Sequence, residues 1–99
     1  MLNITLENFD SEVVAASSQI PVLLDFWAPW CGPCKALGPV LEKIETDPAY
    51  AGRFVLAKVN SDEQQELSQG FGIRSIPTCV LMVDGKPVNG FQGALPEGQ

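Results

Sequence analysis

A stretch of thirteen residues, WAPWCGPCKALGP from Trp27 to Pro39, limits the folds that this chain can adopt. It overlaps the end of PVLLDFWA, a short and almost continuous apolar run that is typical of a strand buried on both faces of a sheet. Downstream, apolar residues from Leu37 to Ile44 recur at the spacing i, i+3, i+4 and i+7 of an amphipathic helix. Proline and glycine disfavour helix interiors, so their concentration between these two patterns predicts a shaped turn from strand into helix. Pro39 lies within the predicted helix and is expected to kink it.

The remaining patterns predict an α/β domain with a mixed sheet. ITLENFDSEVVAAS favours a helix with Thr5 as its N-cap, and RFVLAKVN favours a second buried strand. SDEQQELSQ favours a short helix capped by Ser61 or Asp62. TCVLMV and PVNGFQG then read as two strands joined by a tight turn at Asp84 and Gly85. The order α-β-α-β-α-β-β predicts a central mixed sheet with helices on both faces.

Length and charge restrict the function classes. At 99 residues the chain is expected to form one domain, 1–99. A net charge of −6, with only six scattered basic residues, argues against nucleic acid or an anionic membrane as a partner. The N-terminal MLNITLENFD lacks a basic region and an apolar run, and no stretch approaches the roughly 20 apolar residues of a membrane span. We therefore predict a cytoplasmic protein, in which a close cysteine pair is more often catalytic or metal-binding than structural.

Cys31 and Cys34 occupy positions that favour thiol reactivity. The predicted turn puts Cys31 at or near a helix N-terminus, where unpaired N–H groups and the helix dipole favour an anion. Because the thiolate is the nucleophilic form, this position is expected to lower the pKa of Cys31. Cys34 follows one helical turn later, roughly 5 Å away between Cα atoms, which suits a disulfide. The pair is therefore predicted to cycle between dithiol and disulfide, with Pro33 stiffening the bridge.

Two other interpretations of this cysteine pair stay open at the level of sequence. A zinc site needs four ligands, but the chain has no histidine and only one further cysteine, Cys79. An inert structural disulfide fits poorly with a chain that shows no export signal. Cys79 follows IPT in an apolar run and is expected to behave as a small buried hydrophobe. We expect no metal and no cofactor other than the redox-active Cys31–Cys34 disulfide.

Asp25 is a carboxylate in the middle of an apolar strand. Burying it without a partner would be costly, so its pKa should rise or a cation should accompany it. Lys58, within the next apolar strand, is the natural partner. We hypothesise that Asp25, assisted by Lys58, takes the proton from Cys34 when that thiol attacks. The alternative is an aspartate at the end of the sheet that faces solvent.

Several motifs resemble the thioredoxin family in their order and spacing: DFWAPWCGPCK, the helix proline, AKVN, FGIRSIPT and the closing GAL. The resemblance covers essentially the whole chain and implies a thioredoxin-like α/β fold and a protein-disulfide reductase. It implies that Cys31 attacks the substrate disulfide and that Cys34 resolves the mixed disulfide. Asp25 and Lys58 would be the buried acid and its partner. The implied partners are protein disulfides and a thioredoxin reductase.

The same resemblance implies a substrate-docking surface around the cysteine pair. Pro77 would follow a cis peptide bond and turn the backbone of Ile76 toward an extended substrate segment, which pairs with it as an added strand. Trp30, in the turn beside the nucleophile, is expected to be a partly exposed contact. The implied surface consists of Trp30, Gly32, Pro33, Gly72, Ile73, Ile76, Pro77 and Gly93.

The end of the chain departs from the family pattern. ALPEGQ resembles the approach to a helix, but the family's last helix is absent, so the domain is expected to be truncated at its C-terminus. A longer protein, or a partner such as a second copy, is expected to cover the sheet face that this helix would bury. GKPVNGFQGALPEGQ is similar to the N-terminal domain of thioredoxin–TPR co-chaperone fusions (chaperedoxins). This similarity supplies an alternative function, a redox-active interaction domain that forms mixed disulfides with client proteins.

Overall fold

A computed structural model describes residues 2–92, which form a mixed five-stranded sheet. The predicted docking residue Gly93 and the segment ALPEGQ lie outside this range. The strands are β1 (Leu2–Asn3), β2 (Val22–Trp27), β3 (Val55–Asn60), β4 (Thr78–Val83) and β5 (Lys86–Gln92). Their spatial order is β1-β3-β2-β4-β5. β1 and β2 are parallel to β3, whereas β4 is antiparallel to β2 and β5 to β4, which confirms the predicted mixed sheet.

Within residues 2–92, three helical segments accompany the sheet. The N-terminal segment is a π-helix at Asp10–Ala15 that continues into a 3₁₀ turn at Ala16–Ser18. Helix α1 spans Gly32–Thr46 and runs through Pro39, and helix α2 spans Gln65–Gly70. In this part of the chain, no helix has both the length and the apolar composition needed to cross a membrane.

One face of the sheet carries the larger hydrophobic layer. Successive side chains of a strand point to opposite faces, so Val22, Leu24 and Phe26 of β2 share this face. They are fully buried and belong to one cluster with Val13 of the N-terminal helix and Leu67 of α2. The continuous apolar run of β2 is thus explained by its central place in the sheet, with β3 and β4 on either side.

The other face of the sheet lies under α1 and carries the polar residues of interest. Its buried cluster joins two leucines of α1 to one residue each of β3 and β4. The cluster consists of Leu37, Leu41, Leu56 and Cys79. Alternation along β2 and β3 places Asp25 and Lys58 on this same face. The apolar layer under α1 is therefore interrupted by an acid, Asp25, and a base, Lys58, which lie side by side on the neighbouring strands β2 and β3.

The N-terminal helix begins later than its pattern predicts. Thr5 is not the N-cap; its backbone N–H donates instead to Oδ1 of Asn8 at 2.7 Å. The turn closed by this bond delays the helix, whose N-cap is Phe9 and which has no side-chain cap. β1 has no counterpart in the prediction, because two residues are too few to show a periodic pattern.

Helix α2 also begins later than predicted. Its N-cap is Gln64, and neither Ser61 nor Asp62 caps it. The chain first makes a turn in which the N–H groups of Glu63 and Gln64 donate to the carbonyl oxygen of Asn60 at 3.1 and 2.8 Å. Ser61 and Asp62, which capping preferences alone assign to the start of the helix, lie within this turn.

The predicted hairpin between β4 and β5 is confirmed. Asp84 and Gly85 have φ values of 51° and 76°, so both central residues adopt the left-handed conformation that a type I′ turn requires. The hairpin pairs Val83 with Lys86 at its closed end. It places β5 at the edge of the sheet, next to the strand that carries Cys79.

Gly90 of β5 provides a test of how closely the hairpin packs. A Cβ atom at this position would lie 2.7 Å from the carbonyl oxygen of Cys79, so backbone has to move to admit it. We expect Gly90→Ala to lower the free energy of unfolding by about 1–3 kcal/mol, measured by urea denaturation. Gly70→Ala, at the end of α2, is the matched control, because a methyl group added there would meet no other atom within 4 Å. Equal stability of the two variants would contradict the packing described here.

Candidate active site

Cys31 is the N-cap of α1. Its backbone is extended, with φ −86° and ψ 109°, and its N–H donates to the carbonyl oxygen of Ala28 at 3.1 Å. The helix then begins at Gly32, with Pro33 in the first turn, where a missing N–H removes no intrahelical bond. The predicted turn from strand into helix is confirmed. This turn places Cys31 at the N-terminus of α1, which is the positive end of the helix dipole.

Cys31 and Cys34 are joined by a disulfide, with 5.2 Å between their Cα atoms. The Sγ atom of Cys31 also accepts a hydrogen bond from the backbone N–H of Cys34 at 3.2 Å. After reduction, this N–H group and the helix dipole favour the thiolate over the thiol at Cys31. The two residues are only 4% and 3% exposed, so burial penalises the charged thiolate while it also keeps bulk water from weakening the two interactions that favour it.

Asp25 lies in β2 between two polar partners of the sheet. Its Cα pairs with that of Lys58 in β3 on one side and with that of Cys79 in β4 on the other. Its side chain is 0% exposed, which contradicts the alternative of an aspartate that faces solvent. The thiol of Cys79 donates to Oδ1 at an Sγ···O distance of 3.9 Å. Among the described residues, Oδ2 has no hydrogen-bond partner.

The pKa of Asp25 is raised from an ordinary value of 3.8 to about 6. Burial is the largest cause, because loss of water penalises the charged form. The positive charge of Lys58 and the hydrogen bond from Cys79 both oppose this rise. A carboxyl group with a pKa near neutrality can accept and release a proton around pH 7, as general acid–base catalysis requires.

Lys58 has two close neighbours, Trp27 and Gly38. Its ammonium group lies 4.7 Å from the centroid of the Trp27 ring, which is a cation–π contact. Gly38 of α1 leaves room for that group, since a Cβ atom there would lie 3.2 Å from Nζ of Lys58. A glycine inside an otherwise apolar helix pattern is the only sequence signal for this close approach.

Cys79 is buried, as predicted, with 0% of its surface exposed. It is more than a small hydrophobe, however, because its thiol contacts Asp25. Burial raises the pKa of the Cys79 thiol well above its ordinary value, and the neighbouring carboxylate raises it further. The thiol therefore stays protonated and able to donate. Periodicity cannot find this contact, which depends on the register between β2 and β4.

A surface depression of about 330 Å³ lies beside Trp30. Trp30 is 68% exposed, and its indole N–H donates to both carboxylate oxygens of Asp62 at 3.1 and 2.9 Å. The depression brings together three of the predicted docking residues and adds Arg74, which sequence reasoning missed along with Asp62. It is lined by Trp30, Ser61, Ser68, Ile73, Arg74, Ser75 and Ile76.

The other predicted docking residues within the described range lie in the first turn of α1 and in the loop between α2 and β4. Gly32 and Pro33 are exposed in the first turn of α1. Gly72 is exposed with φ 68°, a conformation that favours glycine. Pro77 is buried and follows a cis peptide bond. The preceding residue, Ile76, packs against the cluster that contains the two disulfide-bonded cysteines, so this loop meets the start of α1 at the cysteine pair.

A larger cavity of about 530 Å³ lies on the opposite face of the sheet, lined mainly by apolar side chains such as Phe9, Leu67 and Phe71. Among the described residues that line it, Glu66 is the one titratable side chain and no nucleophile is present. Within residues 2–92, no three histidine, cysteine, aspartate or glutamate side chains are grouped so as to hold a metal ion.

The raised pKa of Asp25 predicts a specific dependence of stability on pH. The folded state binds this proton more tightly than the unfolded state, so stability is lost as the pH rises from about 4 to about 6. Asp25→Asn should remove that loss and, above pH 7, raise the free energy of unfolding by roughly 3 kcal/mol. Urea denaturation of the disulfide form between pH 4 and 8 measures it. Asp10→Asn, at an exposed carboxylate, changes net charge equally and should keep the wild-type pH dependence; identical curves for both variants would refute the assignment.

Comparison with known proteins agrees with this geometry. The thioredoxin family model matches residues 1–99. A thioredoxin of Haemophilus influenzae is 47% identical over 94 residues, which are 95% of this chain and 86% of the relative. A thioredoxin of Chlorobaculum thiosulfatiphilum is 46% identical over 93 residues (94% and 82%), and thioredoxin 1 of a Nostoc species is 43% identical over 94 residues (95% and 84%). The chain therefore belongs to the thioredoxin family of thiol–disulfide oxidoreductases.

Proposed function

We propose that this oxidoreductase reduces disulfide bonds in proteins, with Cys31 as the attacking residue and Cys34 as the resolving residue. The observation that carries the assignment is the position of Cys31 at the N-cap of α1, where its sulfur accepts the N–H of Cys34. Only the first of the two sulfurs has this stabilisation, so Cys31 is the better thiolate in the reduced protein.

The reaction proceeds through two exchanges that balance without a cofactor. The Cys31 thiolate attacks one sulfur of the substrate disulfide, forms a mixed disulfide and expels the other sulfur as a thiolate, which takes a proton from solvent. Cys34 then gives its proton to Asp25 and attacks the sulfur of Cys31. The Cys31–Cys34 disulfide forms, the second substrate sulfur leaves as a thiolate that takes a proton from solvent, and Asp25 releases its own proton to solvent. Two electrons have then passed from the dithiol to the substrate.

Asp25 is the base in this scheme, and Lys58 is its partner. The support for Asp25 is its complete burial together with a pKa of about 6, which allows it to accept a proton at neutral pH. Lys58 favours the ionised carboxylate through its charge, and its ammonium group is held near the site by Trp27. Its role is electrostatic, since it keeps the buried acid from remaining protonated.

The substrate docks beside the cysteine pair. The depression next to Trp30 accepts a side chain of the substrate, and the backbone at Ile76 pairs with an extended segment of it. The proposed surface consists of Trp30, Gly32, Pro33, Gly72, Ile73, Ile76, Pro77 and Gly93. The exposure of Trp30 and the packing of Ile76 against the cysteine cluster support it.

A thioredoxin reductase regenerates the dithiol, and the cytoplasm is the proposed location. The co-chaperone alternative has no support among the relatives described above, each of which is named a thioredoxin. Coverage of one sheet face by a second copy or by further chain stays a prediction.

Single cysteine variants separate the two proposed roles. Cys34→Ser keeps the attacking thiol but cannot resolve, so it should accumulate a mixed disulfide with oxidised insulin or a disulfide-bonded peptide. Cys31→Ser, which has the same number of cysteines, should form little adduct, because the remaining thiol lacks N-cap stabilisation. Mass spectrometry of the unreduced mixture measures both. Trapping by Cys31→Ser in preference to Cys34→Ser would reverse the assignment.

Coupled turnover distinguishes the reductase function from the co-chaperone alternative. With NADPH, thioredoxin reductase and insulin, we expect the wild-type protein to sustain NADPH oxidation. Neither single cysteine variant should do so. The control replaces the reductase with dithiothreitol and measures insulin precipitation. Activity with dithiothreitol but almost none with the reductase would favour the client-binding alternative.

A further inference from the structure

The two carboxylate oxygens of Asp25 have different surroundings. Oδ1 faces the thiol of Cys79 at 3.9 Å, within the longer reach of sulfur, and accepts its hydrogen bond. Oδ2 is buried and has no hydrogen-bond partner among the described residues. Among the described residues, the two oxygens are therefore not equivalent, since only Oδ1 already accepts a hydrogen bond.

Cys79 is well placed to hold one of these oxygens permanently. It lies directly opposite Asp25 in the antiparallel pairing of β2 and β4, where side chains on one face are close neighbours. Its side chain is 0% exposed and shares a buried cluster with Leu37, Leu41 and Leu56, which leaves it little freedom to turn away. Burial raises its thiol pKa well above the ordinary value, so the thiol remains a donor through the neutral pH range.

We propose that Cys79 is a positioning residue for the resolving step, in which its thiol binds Oδ1 of Asp25 and leaves Oδ2 as the oxygen that receives the proton of Cys34. The inference deepens the proposed function and rests on Asp25 being the base. In the step, the proton moves from Sγ of Cys34 to Oδ2, a bond forms between the sulfurs of Cys34 and Cys31, and the bond from Cys31 to the substrate sulfur breaks. Cys79 keeps its proton and is neither oxidised nor reduced.

The elements packed around Asp25 allow the effect of Cys79 to be isolated. β3 contributes Lys58, whose charge acts on Asp25 across the strand pair. β4 contributes Cys79, and α1, which covers this face, contributes the Cys31–Cys34 pair. In the disulfide form that pair does not titrate. In the disulfide form the pKa of Asp25 therefore reflects its burial, the charge of Lys58 and the hydrogen bond from Cys79, without a contribution from a titrating cysteine pair.

The first experiment measures the pKa of Asp25 by carboxyl ¹³C NMR in the disulfide form. Cys79→Ala removes the donor, whereas Cys79→Ser replaces it with a hydroxyl. Cys79→Val and Cys79→Thr form a second pair of nearly equal shape that again differs in a hydroxyl, and β-branched residues suit a strand. Loss of a hydrogen bond to the ionised form should raise the pKa of Asp25 by roughly one unit in the Ala and Val variants. The Ser and Thr variants should stay near the wild-type value.

The second experiment follows the resolving step directly. Reduced protein is mixed with a saturating disulfide-bonded peptide, and the single turnover is recorded by tryptophan fluorescence, since Trp27 and Trp30 lie beside the cysteine pair. A pKa higher by one unit reduces the ionised fraction of Asp25 most at low pH. The Ala and Val variants should therefore be about five-fold slower than wild type at pH 6 and almost equal to it at pH 8. The Ser and Thr variants should follow the wild-type pH profile.

Variants made in the Asp25→Asn background distinguish the role of Asp25 as the base from the role of Cys79 as its positioning residue. There, Ala and Ser at position 79 should give equal rates at every pH, because the group on which Cys79 acts is gone. If Asp25→Asn slows the step but the donor and non-donor variants of Cys79 share one pKa and one pH profile, the positioning role is wrong while the base survives. If Asp25→Asn does not slow the step at all, the assignment of the base fails and the positioning role fails with it.

Discussion

The extended backbone of Cys31, between the end of β2 and the first residue of α1, is the constraint on which the rest of the site depends. A helix that began a turn earlier would bury the N–H of Cys34 in an ordinary helical bond and would remove it from the sulfur of Cys31. Gly32 and Pro33 allow the abrupt start, because neither is needed as an early helical donor. The central position of β2, hydrogen-bonded on both sides, fixes the point from which the turn departs.

The same strand brings the acid into the core, and this has a cost in stability. Asp25 occupies a position that is completely buried, and burial raises its pKa to about 6. The sheet limits the penalty by aligning Lys58 and Cys79 with it on neighbouring strands. Neither neighbour abolishes the rise in pKa, and a residue that stays partly protonated near neutrality is the useful one for proton transfer. In the proposed reaction, stability and proton transfer thus compete at one side chain.

Sequence patterns predict the features that depend on local chemistry. The buried run of β2, the amphipathic period of α1 and the positive φ values at Asp84 and Gly85 all follow from residue type and spacing. The oddity of a carboxylate in an apolar run also marked Asp25 as a residue of interest. These signals are strong because each is contained within one short segment.

The features that sequence patterns miss depend on how distant segments align. Capping preferences place two helix starts too early, at Thr5 and at Ser61 or Asp62. In the structure these residues belong to turns that precede the helices and that are closed by their own hydrogen bonds. The contact between Cys79 and Asp25 requires the register of two antiparallel strands, and the room for Lys58 requires a glycine on a separate helix. No periodicity within one segment encodes such pairings. The sequence therefore predicts the individual residues of the candidate site but not the contacts between them.

The tie between Trp30 and Asp62 has a consequence for recognition. A large exposed aromatic side chain normally loses rotational freedom when a partner covers it, and this loss weakens association. Here the indole is already fixed by a carboxylate in the turn that follows β3. Most of that ordering takes place when the protein folds, before any substrate arrives. On the proposed docking surface, the indole would therefore lose little further freedom when a substrate segment covers it.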